Sequence, residues 1–273
     1  MVTLREPAVA GRFYPENAKE LRAEVASYLS SQQAPRPERV PAIGCIAPHA
    51  GYVYSGHVAG AVFSRIEIPS CCVVLCPNHT GFGHPLAIMK EGGWRTPLGE
   101  MPIDAELAER LLQAFPALVE DSAAHRSEHA IEVELPFLQV IRPGVKFVPI
   151  AIGTGQRMLL EHLGEAVATA IAAHGQQVLV IASSDMNHYE DDSTTRVKDH
   201  KAIDQILALD PTGLYETVMR ESISMCGFGP AVAMLTAAKR LGAQKAELVQ
   251  YATSGDVSGD HETVVGYAGI VVR

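Results

Sequence analysis

Three segments of this 273-residue sequence place histidine or aspartate directly after an apolar run. They are Pro48-His49-Ala50-Gly51-Tyr52 after VPAIGCIA, Pro77-Asn78-His79-Thr80-Gly81 after CCVVLC, and Ser183-Ser184-Asp185-Met186-Asn187-His188 after QVLVIA. In open α/β sheets, groups just beyond the carboxyl ends of the strands converge on one crevice, so His49, His79, Asp185 and His188 are expected to share a site. Two histidines, a third anionic ligand and open positions form a common transition-metal arrangement, and with a carboxylate it is the facial triad of non-haem Fe(II) oxygenases. Two residues are candidates for the third ligand: Asp185, and Cys226 in Ser224-Met225-Cys226-Gly227-Phe228-Gly229-Pro230. Cys226 stands just ahead of a helix expected to begin at Pro230, where the positive end of the dipole favours thiolate over thiol. His129 and Glu132 lie three residues apart in a segment of helical pattern, 128–140, opened by Ser127. They can face the crevice as orienting or proton-relaying groups, or form a solvated helix start. His57, His84, His162, His174, His200 and His261 read as surface residues.

Other chemistries lose their sequence support. There is no G-x-x-x-x-G-K-[ST] phosphate loop, no H-E-x-x-H zinc helix and no paired C-x-x-C knuckle, and Ser183-Ser184-Asp185 is not a G-x-S-x-G elbow.

The elements that must hold these residues alternate between strand-length apolar runs and helical periods, the pattern of an α/β layered domain. Strands are expected over 40–47, 71–76, 146–152, 177–182, 248–253 and 264–272. Helices are expected over 56–66 with Ser55 as N-cap, from Asp104 to about 115, over 156–174 closed by Gly175, over 193–209, over 211–221 behind Asp210, and over 230–241. Pro136 must kink or end the 128–140 helix locally. The segments 81–83 and 92–99 read as an inserted loop and hairpin around Trp94. Residues 32–39 (QQAPRPER) look like a linker, but the 31 residues before them are too few to fold alone, so one domain over 1–273 is expected, with the amino-terminal piece packed on it as a helix.

Composition narrows the partners. The net charge is −9 and no window gathers enough Lys and Arg for a nucleic-acid patch. No stretch approaches the roughly 18 apolar residues of a membrane span, and the charged, proline-bearing start lacks a signal-peptide core, so a cytoplasmic protein without nucleic-acid or membrane partners is expected. Of the five cysteines, Cys45, Cys71, Cys72 and Cys76 fall in or beside strand segments and read as core rather than as a disulfide framework.

Taken together, the chain resembles the Memo family, whose bacterial and archaeal members are commonly labelled AmmeMemoRadiSam system protein B. The matching stretches are Arg12-Phe13-Tyr14-Pro15, Pro48 to Tyr52 with Tyr54-Ser55-Gly56, Pro77-Asn78-His79, Trp94 to Gly99, Glu128-His129 to Pro136, Ser183-Ser184-Asp185 with His188, and Cys226-Gly227. The resemblance implies an α/β fold with a central mixed sheet flanked by helical layers, similar to class III extradiol dioxygenases. It implies His49, His79 and Cys226 as metal ligands, cysteine replacing the glutamate of those enzymes. His188 takes the acid/base position with Asp185 beside it, while His129, Glu132 and Tyr54 are expected in the surrounding shell or substrate pocket. Fe(II) is the expected metal, with Cu or Zn as alternatives. An AMMECR1-like protein and a radical S-adenosylmethionine enzyme are the partners the family label suggests, beside a small-molecule or peptide substrate. The leading expectation is a metal-dependent redox enzyme. Metal-assisted hydrolysis at a zinc site and a non-catalytic metal- or peptide-binding protein are the alternatives.

Overall fold

A computed structural model of the protein describes residues 3–30 and 39–273. The expected linker over 32–39 therefore lies, Arg39 apart, outside the described residues. The chain runs β1 (Leu4–Arg5), α1 (Ala18–Ser30), β2 (Gly44–Ala47), α2 (Tyr52–Arg65), β3 (Cys71–Pro77), β4 (Leu86–Ile88), β5 (Gly93–Thr96), β6 (Gly99–Pro102) and α3 (Ala105–Ala114). After β7 (Val119–Glu120) and a 3-10 turn (Ser122–His125) come α4 (Leu135–Ile141), β8 (Lys146–Ile152), α5 (Arg157–His174), β9 (Val178–Ser183) and β10 (His188–Glu190). The rest is α6 (Asp192–Leu207), α7 (Pro211–Arg220), α8 (Phe228–Arg240), β11 (Ala246–Thr253), α9 (Gly255–Ser258) and β12 (Val264–Val272).

A nine-stranded mixed sheet organises the molecule. Its middle strands, β2, β9, β3 and β8, lie side by side and parallel, with Ala47 opposite Ser183 and Pro77 opposite Ile152. Their carboxyl ends therefore form one edge, and whatever follows them shares it. Antiparallel β12 beside β2 and antiparallel β4 beside β8 make the sheet mixed. Helices cover both faces, which is why the middle strands are unbroken apolar runs rather than alternating ones. Val73 and Leu75 pack with α5 and α8 on one side, while Cys72, Val74 and Cys76 pack with α1, α2 and α4 on the other. All five cysteines are free, and the four on or beside the strands are buried. Trp94 lies in the β5–β6 hairpin, which β1 extends to a small three-stranded sheet. Among the described residues, no helix is long and apolar enough to cross a membrane.

Several element ends differ from the sequence expectation, each for a local reason. Helix α2 starts at Tyr52 with Gly51 as N-cap, and Ser55 lies within its first turn, its hydroxyl donating to the Ala50 carbonyl. Helix α8 begins at Phe228, so Pro230 is inside its first turn, where a missing N–H costs nothing. The helix expected over 128–140 is confined to Leu135–Ile141, and residues 130–134 form turns. Ahead of these turns the Glu128 carboxylate accepts the N–H groups of His129 and Ala130, fixing a local side-chain-to-backbone structure there. Asp104, Asp210 and Gly175 cap as their types demand.

Asp199, on α6, is buried under β11 and β12. It accepts the Asn187 N–H at 2.8 Å and the Tyr251 hydroxyl at 2.7 Å. Only glycine fits opposite, since a Cβ at Gly266 would lie 1.8 Å from Asp199 Oδ2. Burial pushes this carboxyl up from an ordinary 3.8 to about 7. A raised acid pKa means the folded state holds the proton more tightly than the unfolded chain. Stability from this group is thus greatest near pH 4 and falls as pH rises through about 7, by at most about 1.4 kcal/mol per pH unit. Urea titrations at about pH 5.5 and pH 8 should show wild type losing roughly 1–2 kcal/mol more than Asp199→Asn on going to the higher pH. Equal losses in both proteins would show that Asp199 does not titrate in this range.

Candidate metal centre

The shared edge of β2, β9 and β3 carries three of the four residues expected to share a site. His49 follows β2, His79 follows β3 and Asp185 follows β9. The ring centroids of His49 and His79 are 5.2 Å apart, and His129, from the turn after Glu128, stands 5.5 Å from His49 and stacks on His79 at 4.8 Å. Each imidazole offers one nitrogen within 4.8 Å of the other two. Cys226 reaches the group from the approach to α8, its Sγ 3.3 Å from His49 Nε2. Gly227 makes that approach possible, since a Cβ there would lie 2.4 Å from the Ser183 carbonyl oxygen.

The backs of two imidazoles are tied down, which settles which nitrogen each presents. His79 Nδ1 is 2.9 Å from Glu128 Oε1, so it carries the proton and donates, leaving Nε2 bare. Glu128 also accepts the His79 N–H at 2.6 Å, and it lies 3.4 Å from His129 Nδ1. Burial opposes its charge, yet the hydrogen bond and charge of His79 and the N–H groups of this turn outweigh burial and bring its pKa down to about 2. The same contact holds His79 above its ordinary value against the opposing effect of burial.

His49 is oriented through Ser183. The Ser183 hydroxyl oxygen is 2.8 Å from His49 Nδ1, 2.8 Å from the Ala130 carbonyl and 3.0 Å from Glu134 Oε1. It has one proton and two lone pairs. The carbonyl can only accept, so the proton goes there, and the other two contacts must be donated by His49 Nδ1–H and by a protonated Glu134. Burial raises the Glu134 carboxyl well above the carboxylate range, and its second oxygen has no partner among the described residues. A neutral acid meets both conditions. His49 is thereby held as the Nδ1–H tautomer with Nε2 facing Cys226.

Asp185 is buried and accepts the His49 backbone N–H at 2.8 Å, and its other oxygen is 4.0 Å from His49 Nε2. Burial raises its pKa, against the pull of that hydrogen bond and of the nearby histidines. His188 is half-buried on β10, with Nδ1 2.9 Å from the Ser224 carbonyl, so its Nε2 is the free nitrogen. Burial lowers the His49 pKa well below its ordinary value, the neighbouring imidazoles adding to the effect. Burial, reinforced by the Asp185 charge, raises the Cys226 thiol well above its ordinary value. This corrects the thiolate expected from the α8 dipole: desolvation outweighs a helix end that starts two residues away, and the metal-free sulfur keeps its proton beside His49 Nε2.

Two residues expected around the pocket lie elsewhere. Glu132 is turned away from the histidines, because the helix that would have aligned it with His129 does not form. Its carboxylate accepts Arg5 Nη1, the N–H groups of Ala8 and Val9 and the Tyr14 hydroxyl, clamping the amino-terminal segment to the body. Tyr54 lies in the first turn of α2, exposed, and lines a cavity of about 430 Å³ with Arg12 and Phe13. Phe13 meets His129 edge-on at 4.8 Å between centroids. Sequence reasoning did not single out Glu128, Ser183 or Glu134 for roles at the site. The signal available for Glu128 was its place beside His129; for Glu134 there was none.

Another cavity, of about 400 Å³, opens beside the cluster between His79, Cys226, Thr154 and Phe228. It is large enough for a small organic substrate.

Comparisons with known proteins bear on the family and the fold. The family profile described as Memo-like protein matches residues 5–271. The chain belongs to the Memo family. The MEMO1 family protein MK0963 of Methanopyrus kandleri is 43% identical over 98% of this chain and 99% of its own length. A MEMO1 family protein of Methanosarcina mazei is 41% identical over 99% of each. Among solved structures, uncharacterized protein JW3007 from Escherichia coli K12 matches 84% of this Memo-family chain and 98% of its own, with a TM-score of 0.55 at 12% identity, which shows a common fold. The mixed sheet flanked by helices is thus the architecture that the motif resemblance implied.

Proposed function

We propose that this Memo-family protein is a metal-dependent redox enzyme that holds Fe(II) at His49, His79 and Cys226 and acts on a small or peptide-borne substrate. The supporting observation is a convergent donor set whose orienting bonds precede any metal: His79 through Glu128 and His49 through Ser183, each with Nε2 left bare. Imidazole and thiolate together suit iron, copper and zinc. An iron ion there would supply dioxygen chemistry of the kind the extradiol enzymes perform. Binding through sulfur requires the Cys226 thiol to give up its proton. His129 lies within ligand distance of the other two rings and is the alternative third donor.

The chain's own groups do the remaining work. Substrate binds in the cavity between Thr154 and Phe228, beside His79 and Cys226. His188 Nε2, its ring fixed by the Ser224 carbonyl, is free to take a proton from a substrate hydroxyl and return it. Asp185, buried beside His49, stabilises the charge on these imidazoles when a proton is held there.

Anaerobic purification followed by metal analysis and oxygen-electrode assays with catechol-type substrates tests this reading. Iron near one equivalent with oxygen uptake that His188→Ala abolishes is the expected result. Retention of zinc with oxygen-independent hydrolysis would replace it by the hydrolytic reading, and metal uptake with no turnover would leave a metal-binding protein.

A further inference from the structure

A separate cavity of about 620 Å³ lies against the amino-terminal segment, next to Ser122, Arg126 and Ser127. Three arginines line it: Arg5, Arg12 and Arg126. Arg5 is buried and fully used. It donates to Glu132, to the carbonyls of His125 and Glu128, and lies 4.1 Å over the Trp94 ring. Arg12 and Arg126 are exposed, and among the described residues neither side chain has a hydrogen-bond or carboxylate partner. This sets them apart from Arg65, Arg95, Arg110, Arg157, Arg196 and Arg220, each of which sits on a carboxylate at 3.3 Å or less.

Glu6 and Glu132, two acids at or beside this wall, are already engaged. Glu6, on the cavity wall, is 2.7 Å from Arg95, and Glu132 is enclosed by Arg5, Tyr14 and two backbone N–H groups. The cavity therefore presents two guanidinium groups with no carboxylate at ion-pair distance among the described residues, in a chain of net charge −9. Thr3, Ser122 and Ser127, each bearing a hydroxyl, also line it. Two guanidinium forks free of other partners among the described residues match the planar, bidentate recognition of a tetrahedral oxyanion.

We propose that this cavity binds a phosphate group between Arg12 and Arg126, with room left for the organic part of a small phosphate monoester. The site is separate from the histidines and does not depend on metal. Isothermal titration of the full-length protein with inorganic phosphate and with glycerol 3-phosphate, at constant ionic strength set with chloride, reads it directly. Both ligands should bind, with Arg12→Ala and Arg126→Ala each weakening them about tenfold, the size of one lost charge-assisted hydrogen bond. His49→Ala should bind phosphate unchanged. Tighter binding of the ester than of phosphate identifies a phosphorylated metabolite as the ligand, and equal binding identifies free phosphate. Wild-type affinity in both arginine variants, loss of binding in His49→Ala, or no heat above the chloride background would each overturn the proposal. Unchanged melting temperatures of the arginine variants without phosphate separate loss of the site from loss of fold.

Discussion

His49→Ala and His79→Ala proteins purified without air are expected to carry less than about a tenth of the wild-type metal, because each removes one ligand bond and two remaining donors hold a cation far less tightly. His188→Ala should keep the metal, since its ring is bonded to Ser224 and stands outside the three-imidazole group. The informative pair is Cys226→Ser and His129→Ala. If sulfur is the third ligand, the serine variant loses metal together with the thiolate charge-transfer absorption, and the alanine variant retains both. If the third imidazole is the ligand, the pattern reverses. Full metal content in His49→Ala and His79→Ala would remove the ligand assignment altogether. Emission spectrometry of the protein alongside its visible spectrum distinguishes these results without reference to turnover.

Glutamine at two buried carboxyls should have opposite consequences. Glu128 is ionised: one oxygen accepts from His79 Nδ1, the His129 N–H and the Ala130 N–H, and the other accepts the His79 N–H. An amide of the same shape must point its NH₂ at one of these donors. Glu128→Gln is expected to cost about 2–4 kcal/mol of folding stability by leaving buried donors unmatched, and to weaken metal binding about 10- to 100-fold by releasing His79. Glu134 is a neutral acid that donates to Ser183 and has one oxygen without a partner among the described residues. There the amide NH₂ replaces the acid O–H, so Glu134→Gln should change stability by less than about 1 kcal/mol and metal affinity less than about threefold. In the metal-free Glu134→Gln protein, the ¹⁵N shifts of His49 should still report the Nδ1–H tautomer. A Glu134→Gln variant as damaged as Glu128→Gln would mean that Glu134 is ionised and that Ser183 donates to it.

The sequence alone was enough to name the loops of His49, His79 and Asp185 that meet at the candidate centre, because their positions follow from strand order along the chain. An apolar run such as CCVVLC must be a doubly covered strand, and His79 behind it must emerge at the sheet edge whatever the neighbours are. The caps at Asp104 and Asp210 and the stop at Gly175 were legible for the same reason: each depends on contacts within a few residues.

Only tertiary structure decided the rest. Glu132 and His129 share a helical spacing, but Glu128 takes the Ala130 N–H, residues 130–134 form turns, and Glu132 goes to Arg5 across 127 residues of chain. Whether a buried carboxyl is charged depends on how many donors the fold brings to it: several reach Glu128, whereas the one hydrogen-bond partner of the Glu134 carboxyl among the described residues, the Ser183 hydroxyl, gives its proton to the Ala130 carbonyl. The state of Cys226 likewise follows from desolvation and the nearby Asp185, not from its place ahead of a helix. Local propensity and pattern are properties of neighbours in sequence, whereas charge state and orientation at the centre are set by neighbours in space.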